Sequence, residues 1–380
     1  MKCFKRLGRW RLVEQGKTPV EVKFFYRAPT EKDRVFAKSA VIEVIYTVVA
    51  KGIPLFRTEG VGDVTLLDIY YGKNPVSVPA ILPEKIQAKL RRQILAILRG
   101  KFNDVVKGEI KKYRELGFVK AGDDGSWNCY VAPPKGEKET DIGMCGFCPA
   151  CNLLGTILTD SELTIASTSY GVKSRVVHDI AFGTVRYEKA VADFTHNKVG
   201  DGVSYTGRSL FNETHVLPGV VFVGKLAMYD VTEREARLVL SALSSIHRMG
   251  GGETKYGSLQ VILIGLKSGN RETISSYDLA RRVLEKYDGN PMPPEDAINE
   301  VVNYISNRGF AMFVKEMGNK KVDEIDTSIE LKDEEIIELW RTDNYHYAKS
   351  VVDYINRVEE KGSGGAKGGK RKERKGLIEE

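Results

Sequence analysis

Four runs of apolar and β-branched residues along the chain have the composition of buried β-strands. The clearest is AVIEVIYTVVA at residues 40–50, where a single charged position interrupts an apolar run. The other three are ELTIASTSY at 162–170, GVVFVGKLAMYD at 219–230 and SLQVILIGL at 258–266. We therefore predict a strand over each of these four segments.

Two amphipathic segments lie between these runs and predict helices. The first is PEKIQAKLRRQILAILR, residues 83–99, which begins with a proline suited to a first helical turn. Its apolar residues recur at helical spacing, at Ile86, Leu90, Ile94 and Ile97. The second segment opens with a capping box formed by Thr232 and Glu235 and continues to a run of glycines at 250–252.

The predicted order is strand, helix, strand, strand, helix, strand. This is the split βαβ order of ferredoxin-like folds, which RNA-recognition domains share. We therefore expect an α+β protein whose ferredoxin-like, RRM-like core comprises residues 20–120 and 156–270. Within the core, residues 170–217 scatter glycine and charge through short extended runs, which is typical of a long protruding hairpin.

Three further regions fall outside this core. Residues 121–155 are irregular and predict an insertion, while residues 361–380 form a basic, low-complexity tail that we expect to be disordered. Residues 271–360 are acidic and predict a helical lobe. Its candidate helices are 277–287, 294–307, 332–341 and 345–360.

The composition limits the class of protein. The chain has 380 residues, 42% of them hydrophobic, enough for two or three structural units. No apolar run reaches the ~18 residues of a membrane span, and the opening residues, MKCFKRLGRW, lack the apolar segment of a secretory signal. We therefore expect a cytoplasmic protein without membrane contact, whose cysteines bind metal more readily than they form disulfides.

The net charge of +7 is unevenly distributed. Residues 1–120 contain 25 Lys and Arg against 12 Asp and Glu, whereas residues 121–360 contain 26 against 36. A basic first third favours a polyanionic partner such as nucleic acid. The charge distribution by itself does not favour a nucleic-acid partner over a surface whose charges are unevenly distributed without a function.

Three of the five cysteines are concentrated in CGFCPAC. Cys145, Cys148 and Cys151 follow a C-x2-C-x2-C spacing, and Cys129 precedes them. Four thiolates suit a closed, tetrahedral, structural Zn²⁺ site. Residues 121–155 contain few large apolar residues, so we expect a metal ion, rather than burial, to order this insertion.

Two other metal assignments are open. Bacterial ferredoxins also use C-x2-C-x2-C, but they continue to a further cysteine where this chain has Gly155. A histidine, His178 or His196, is an alternative to Cys129 as the fourth ligand. Cys3 is isolated and has no predicted role.

The loop RMGGGETKYG at 248–257 offers both charge and close backbone approach. Its glycines Gly250, Gly251 and Gly252 leave room for a bulky ligand, and Arg248, Lys255 and Tyr256 provide two cations and a stacking ring. This set suits an RNA backbone and base. A simple helix end and turn is the alternative, since the loop joins helix to strand, the reverse of a phosphate-binding loop.

Basic and aromatic residues also interleave over residues 170–211, a pattern typical of single-strand binding. The basic residues are Lys173, Arg175, Arg186, Lys198 and Arg208. Acidic residues are equally common here, and a solvated hairpin explains the pattern nearly as well. In LFRTEG, at residues 55–60, Arg57 is either an anion contact or an ion-pair partner of Glu59.

No local motif supplies a catalytic set. Neither G-x-S-x-G nor H-E-x-x-H occurs, and the five histidines are scattered. A nuclease would have to use His178, His247 or Asp63 as general base or acid. We therefore expect a non-enzymatic protein, with an RNA-processing endonuclease of the same superfold as the alternative.

Three motifs in order resemble a known family. PLFRTEG, CGFCPAC and GGGETKYG, with a hairpin that returns through Pro-Gly into a strand and a capped helix, resemble the RAMP backbone proteins of CRISPR–Cas complexes. The cysteine insertion and the basic helix 83–99 are similar to the type I-D backbone subunit. The resemblance covers roughly residues 20–270.

This resemblance implies a subunit that does not cut RNA. It implies copies that assemble along single-stranded CRISPR RNA, other CRISPR subunits as partners, and indirect contact with target DNA. By matching position, it places RNA contacts at Arg57, on the helix with Arg91 and Arg92, around Lys173, Arg175 and Arg186, and from Gly250 to Tyr256.

Overall fold

The computed structural model describes residues 6–12, 20–26, 40–57, 64–71, 74–131, 143–197, 210–314 and 329–365. Arg208, Asp63 and Cys3 lie outside the described residues, as do residues 366–380 of the predicted tail, whereas residues 361–365 continue the last helix and are not disordered as predicted.

Fourteen strands occur in the described part of the chain. They are β1 Arg6–Leu12, β2 Val20–Tyr26, β3 Val41–Ala50, β4 Leu66–Tyr71, β5 Asn74–Ile81, β6 Thr156–Leu158, β7 Tyr170–Val172, β8 Val176–His178, β9 Ala181–Gly183, β10 Val191–Asn197, β11 Leu210–Val216, β12 Val221–Tyr229, β13 Leu259–Gly269 and β14 Ala311–Met312.

Nine α-helices occur in the same residues. They are α1 Pro83–Gly100, α2 Asp104–Glu115, α3 Pro149–Leu154, α4 Tyr187–Ala190, α5 Glu233–Ser244, α6 Ser276–Tyr287, α7 Pro294–Ser306, α8 Asp333–Glu338 and α9 Tyr345–Gly365. A π-helical segment, Leu339–Asn344, joins α8 to α9.

An antiparallel sheet of eight strands forms the centre of the described structure. Its order is β14-β13-β3-β12-β9-β5-β4, with β8 also paired to β12. All ten residues of β3 are buried. Because β3 has a strand on each side and helices over both faces, its sequence is almost continuously apolar.

Helices pack on both faces of this sheet. Successive strand residues point to opposite faces, so Val44, Tyr46 and Val48 join the core formed with α1 and α5. Ile45 and Val49 join a second core, formed with α6 and α7. The protein is therefore a mixed α+β structure in which helices sandwich an antiparallel sheet.

The strand predicted at 162–170 is wrong, because only Tyr170 of that segment belongs to a strand. Leu163 makes a single isolated bridge to Phe118, and the Thr164 N–H donates to the Gly117 carbonyl at 2.9 Å. The place beside β12 is taken instead by β8 and β9. Each of these has three residues, too few for a periodic pattern to be recognised.

The predicted hairpin at 170–217 is shorter in the structure. Residues Val191–Asn197 and Leu210–Val216 pair with each other as β10 and β11. The preceding residues form β7, β8, β9 and α4, and β8 and β9 belong to the main sheet. The interleaved cations before residue 190 are therefore not on the hairpin.

The helical prediction for the C-terminal part is confirmed, and its helices pack in two places. Helices α6 and α7 cover one face of the sheet. The segment from α8 to α9 packs on the other side, with Trp340 and Tyr347 in the core formed with α1 and α5. None of the helices in the described ranges has the length and apolarity needed to cross a membrane.

Candidate metal centre and nucleic-acid interface

Four cysteine sulfurs converge at one buried point, which we call the thiol centre. The ligand atoms of Cys129, Cys145, Cys148 and Cys151 all lie within 4.8 Å of one another. The Cys129 Sγ lies 3.7 Å from the sulfurs of Cys148 and Cys151, and Cys145 Sγ lies 3.9 Å from Cys151 Sγ. A tetrahedral ion with bonds of ~2.3 Å needs sulfurs about 3.8 Å apart. The sulfur spacing therefore fits a bound metal ion.

Local backbone geometry aims these thiols at one another. Gly146 has φ +83°, and a Cβ there would lie 2.4 Å from a Leu158 methyl, so only glycine fits between the first two ligands. The Cys148 N–H points to Cys145 Sγ at 3.3 Å, and the Trp127 indole N–H to the same sulfur at 3.4 Å. Such N–H donors stabilise thiolate charge.

Burial makes isolated thiolates unfavourable at two of the four cysteines, Cys145 and Cys148. It raises the pKa of the Cys145 and Cys148 thiols well above the usual range. A divalent cation would compensate by holding them as thiolates. All four ligands are buried, so the set is closed and leaves no open position for a reacting water.

His178 does not join the thiol centre. It lies on β8, and burial lowers its pKa to about 4. Within the described residues Cys129 therefore completes the set of four. The His196 side chain lies outside them.

The thiol centre lies inside the main core, which corrects our expectation of an insertion with little apolar support. Phe147 is fully buried against Tyr113 and Trp340, with ring centroids 5.0 and 6.4 Å away. Asn344 donates to the Phe147 carbonyl and to the Tyr113 hydroxyl, each at 2.8 Å. Residues 121–155 contain few large apolar side chains of their own, and helix α2 and the π-helical segment supply the apolar side chains that pack against them.

Two cations predicted to contact RNA are buried beside the thiol centre. Arg91 donates to the carbonyls of Ala150, Leu154 and Gly155 at 2.7 to 3.3 Å and so caps the end of α3. It is 7% exposed. We therefore remove Arg91 from the set of RNA contacts.

Arg175, also 7% exposed, is equally committed to internal contacts. Its guanidinium forms a two-bond ion pair with Glu235, at 2.6 and 3.0 Å, and lies 4.1 Å from the Tyr347 ring centroid. It also donates to two backbone carbonyls, of Asn152 and Asp230. Arg175 therefore joins α3, α5 and α9, and we remove it from the contact set as well.

The glycine-rich loop packs directly on the loop that follows β3. The Gly251 N–H donates to the Leu55 carbonyl at 2.7 Å. Gly250 has φ +104°, and a Cβ there would lie 2.6 Å from the Leu55 oxygen. Glycine is therefore required for this approach, which brings the sequence motifs LFRTEG and GGGETKYG together.

The β10–β11 hairpin contacts both of these loops near its base. Glu213 of β11 forms an ion pair with Arg57 and also approaches His215. The His215 ring lies edge-on between Tyr256 and Phe194, at 5.2 and 5.4 Å. We call residues 55–57, Phe194, Glu213, His215 and residues 250–256 the loop cluster.

Helix α1 extends the loop cluster with further positive charge. Lys89 forms an ion pair with Glu253 at 3.0 Å, which fixes α1 beside the glycine-rich loop. Arg92 is exposed one turn further along α1, and Lys255 is exposed in the loop. Arg248 is exposed and donates to the carbonyls of Glu253 and Thr254.

Two predicted contacts lie elsewhere. Arg186 bonds the Asp288 carboxylate and the Tyr71 hydroxyl, each at 2.8 Å, and so joins α4 to the end of α6. Lys173 is exposed in the turn after β7, beside Gly155. Sequence reasoning missed Glu213, His215 and Lys89, whose partners lie far away along the chain.

Comparisons with known proteins agree on one family. The model of a family described as Csc2 Crispr matches residues 25–346. A crystal structure of Thermofilum pendens Csc2 is 29% identical, with a TM-score of 0.64 over 87% of this chain and 94% of that one. No curated protein matches the chain.

Two solved structures are more distant. One is titled a CRISPR RNA-guided surveillance complex in a pre-nicking state; it is 13% identical, with a TM-score of 0.46 over 76% of this chain and 98% of that one. A second CRISPR RNA-guided surveillance complex is 12% identical, with a TM-score of 0.43 over 75% and 96%.

Proposed function

Since this chain belongs to the Csc2 Crispr family, we propose that it binds single-stranded CRISPR RNA without sequence preference, as a repeating backbone subunit of a type I-D CRISPR surveillance complex. Its partners are then other copies of the chain, other CRISPR subunits and, indirectly, target DNA. The complex operates in the cytoplasm.

The convergence at the loop cluster carries this proposal. The loop after β3, the hairpin base and the glycine-rich loop contact one another, and α1 adds a basic edge. Arg57 is 45% exposed there and lies beside the glycine-rich loop, since a Cβ at Gly251 would be 3.7 Å from its Nε. Exposed cations beside aromatic rings are what a phosphate backbone with stacked bases requires.

The chain order supports a ferredoxin-like core beneath this surface. With β8 and β9 counted as one strand, and with the elements inserted between them left aside, β3, α1, β8–β9, β12, α5 and β13 follow the split βαβ order. In the sheet, β3 and β12 are central and antiparallel. The loop cluster lies where β3 ends and β13 begins.

We assign Zn²⁺ to the thiol centre, held by Cys129, Cys145, Cys148 and Cys151. Such an ion supplies folding energy and no reaction chemistry, since all four positions belong to the protein. The ordered cysteines would hold α3 in place, and Arg91 would then fix α1 against the end of α3. The exposed side of α1, which carries Arg92, would thereby be held in position.

The subunit is proposed to be non-catalytic. Of the residues considered for an endonuclease, His178 is buried, 8% exposed, with no hydrogen-bond partner for either ring nitrogen in the described structure. It would not reach a phosphate at the loop cluster. His247 is exposed and is tested by the gel assay below.

The test is fluorescence anisotropy of a labelled unstructured RNA and of a DNA duplex over a salt series. We expect preferential RNA binding that weakens steeply with salt, together with intact RNA on a gel. The variant Arg57→Ala/Lys255→Ala should lose affinity, while Arg281→Ala, an exposed cation on α6, should not. Equal loss in both variants, duplex preference or cleaved RNA would overturn the proposal.

A further inference from the structure

A polar groove of about 460 Å³ lies on the α6–α7 layer, away from the loop cluster. It is lined by Arg282 of α6 and by residues of and just beyond α7, which are Glu300, Asn303, Tyr304, Asn307 and Arg308. Residues three and four apart share a helix face, so this spacing presents the α7 side chains together. The groove is open and polar, which suits a charged or hydrogen-bonding ligand.

Two guanidinium groups flank one aromatic ring in this groove. The Arg308 guanidinium carbon lies 4.1 Å from the Tyr304 ring centroid, and that of Arg282 lies 5.9 Å from it. Guanidinium stacked on a ring keeps its N–H groups pointing sideways, where they are available to phosphate oxygens. Within the described chain, Arg308 makes no ion pair.

The buried carboxylate of Glu300 holds Arg282 in position. Glu300 is 7% exposed and accepts hydrogen bonds from Arg282 Nε at 3.0 Å and from Lys286 Nζ at 2.6 Å. Burial opposes ionisation of Glu300, but these hydrogen bonds hold its pKa below the usual range. Glu300 bonds the Nε of Arg282, whose side chain is 54% exposed, so the terminal N–H groups of Arg282 remain available to a ligand.

Asparagines complete the groove. Asn303 of α7 and Asn307, which caps the end of α7, are exposed and four residues apart, and their amides offer both donors and acceptors. A single asparagine amide can bond a donor and an acceptor on the edge of a base. Just after the groove residues, Gly309 has φ +76°, and Lys267 of β13 lies 5.5 Å from the ring centroid of the adjacent Phe310.

We propose that this groove is a second nucleic-acid site, which takes one nucleotide of a single strand, with the base at the exposed edge of the Tyr304 ring beside the asparagines and the phosphate on Arg282 and Arg308. The site is separate from the loop cluster, because it adjoins the later half of β13, near Gly265 and Lys267, whereas the glycine-rich loop precedes β13. Nothing in this proposal requires the RNA surface at the loop cluster.

A carboxylate from another protein would also suit the two arginines, but two observations favour a nucleotide. The Tyr304 ring is only partly buried, so it presents apolar surface to a planar group. The paired amides of Asn303 and Asn307 offer mixed donors and acceptors, whereas a carboxylate needs donors alone. The chemistry does not distinguish RNA from DNA, so the experiment includes both.

The test is photocrosslinking of the full chain to oligouridine or oligothymidine that carries 5-iodouracil, with the adducts mapped by mass spectrometry. We expect an adduct on the peptide that contains Tyr304, in addition to any on the glycine-rich loop. The Tyr304 adduct should persist in Arg57→Ala/Lys255→Ala. It should fall at least about fivefold in Arg308→Ala, which removes a stacked and charged contact.

The controls separate this site from a general loss of charge and from the loop cluster. Arg281→Ala removes a neighbouring α6 cation outside the groove and should leave the adduct unchanged, and Tyr304→Phe should retain it.

The idea is overturned if no adduct forms near Tyr304, or if Arg308→Ala and Arg281→Ala give equal yields. It is also overturned if Arg308→Ala changes only the oligomeric size of the protein, as a protein-binding groove would. Loss of the glycine-loop adduct alone would count against the function proposed above, and not against the groove.

Discussion

The thiol centre and the loop cluster use the same kinds of residue in opposite ways. Around the thiol centre, Arg91 and Arg175 are 7% exposed and bonded to carbonyls and a carboxylate inside the protein. In and beside the loop cluster, Arg57 and Arg92 are exposed. Burial, not residue type, separates a structural arginine from one available to a ligand.

The two regions also respond differently to change. At the thiol centre each group is enclosed and has partners from several elements, so removal of one leaves others unsatisfied. At the loop cluster His215 is buried and Glu213 is 14% exposed, but the cations Arg57 and Lys255 are exposed, so removal of these cations should alter binding more than stability. Four variants test this contrast, in order of decreasing effect.

Cys148→Ser should have the largest effect. We expect it to lose bound metal and to lower the free energy of unfolding by about 5 kcal/mol or more, since structural zinc supplies ~10–16 kcal/mol in small zinc-finger peptides. Because the thiol centre is inside the main core, the loss should extend beyond residues 121–155. Metal analysis and thermal unfolding measure both effects.

The matched control is Cys3→Ser, which removes a thiol outside the proposed ligand set. It should retain the metal stoichiometry of the natural protein. Equal metal content in Cys148→Ser would show that the ligand set is wrong.

Arg175→Met should lower the free energy of unfolding by about 3–5 kcal/mol, because it removes the guanidinium that pairs with the buried Glu235 carboxylate. Arg92→Met, at an exposed position of α1, should leave stability nearly unchanged and weaken RNA binding. Denaturant unfolding and RNA anisotropy on both variants give the comparison. If Arg175→Met weakened RNA binding while stability held, the guanidinium would have to be at the RNA surface after all.

Gly250→Ala should weaken RNA binding about fivefold and cost about 1–3 kcal/mol of stability, since it forces a side chain into a left-handed conformation against the Leu55 oxygen. Gly108→Ala is the matched control. A Cβ there meets no atom within 4 Å, and it lies in the interior of α2, so alanine should raise stability by about 0.5–1 kcal/mol. A neutral Gly250→Ala would mean that the glycine-rich loop can move away from Leu55.

Glu213→Gln should have the smallest effect and the opposite sign. It releases Arg57 from its ion pair and should tighten RNA binding a few-fold at low salt, with a steeper salt dependence by about one phosphate contact. Asp104→Asn makes the same charge change at an exposed position of α2 and should have little effect. Weaker binding in Glu213→Gln would indicate that the carboxylate positions Arg57 for RNA.

Sequence reasoning succeeded where a signal is local. The strand over β3, the capping box of α5 and the cysteine spacing of CGFCPAC all depend on residues close together in the chain. It failed for β8 and β9, which are only three residues long and owe their conformation to pairing with β12. It also failed to separate Arg91 from Arg92, neighbours on one helix that face opposite environments.

The sequence by itself determined the order of the main elements, the positions of the metal ligands and the motifs that resemble the CRISPR backbone family. Tertiary structure alone decided which cations are buried, which segment is the second strand and which residues surround Arg57. The physical reason is separation along the chain: Arg175 and Glu235 are 60 residues apart, and Arg91 and Leu154 are 63. Periodicity and spacing record only near neighbours, whereas burial is set by residues that the fold brings together from a distance.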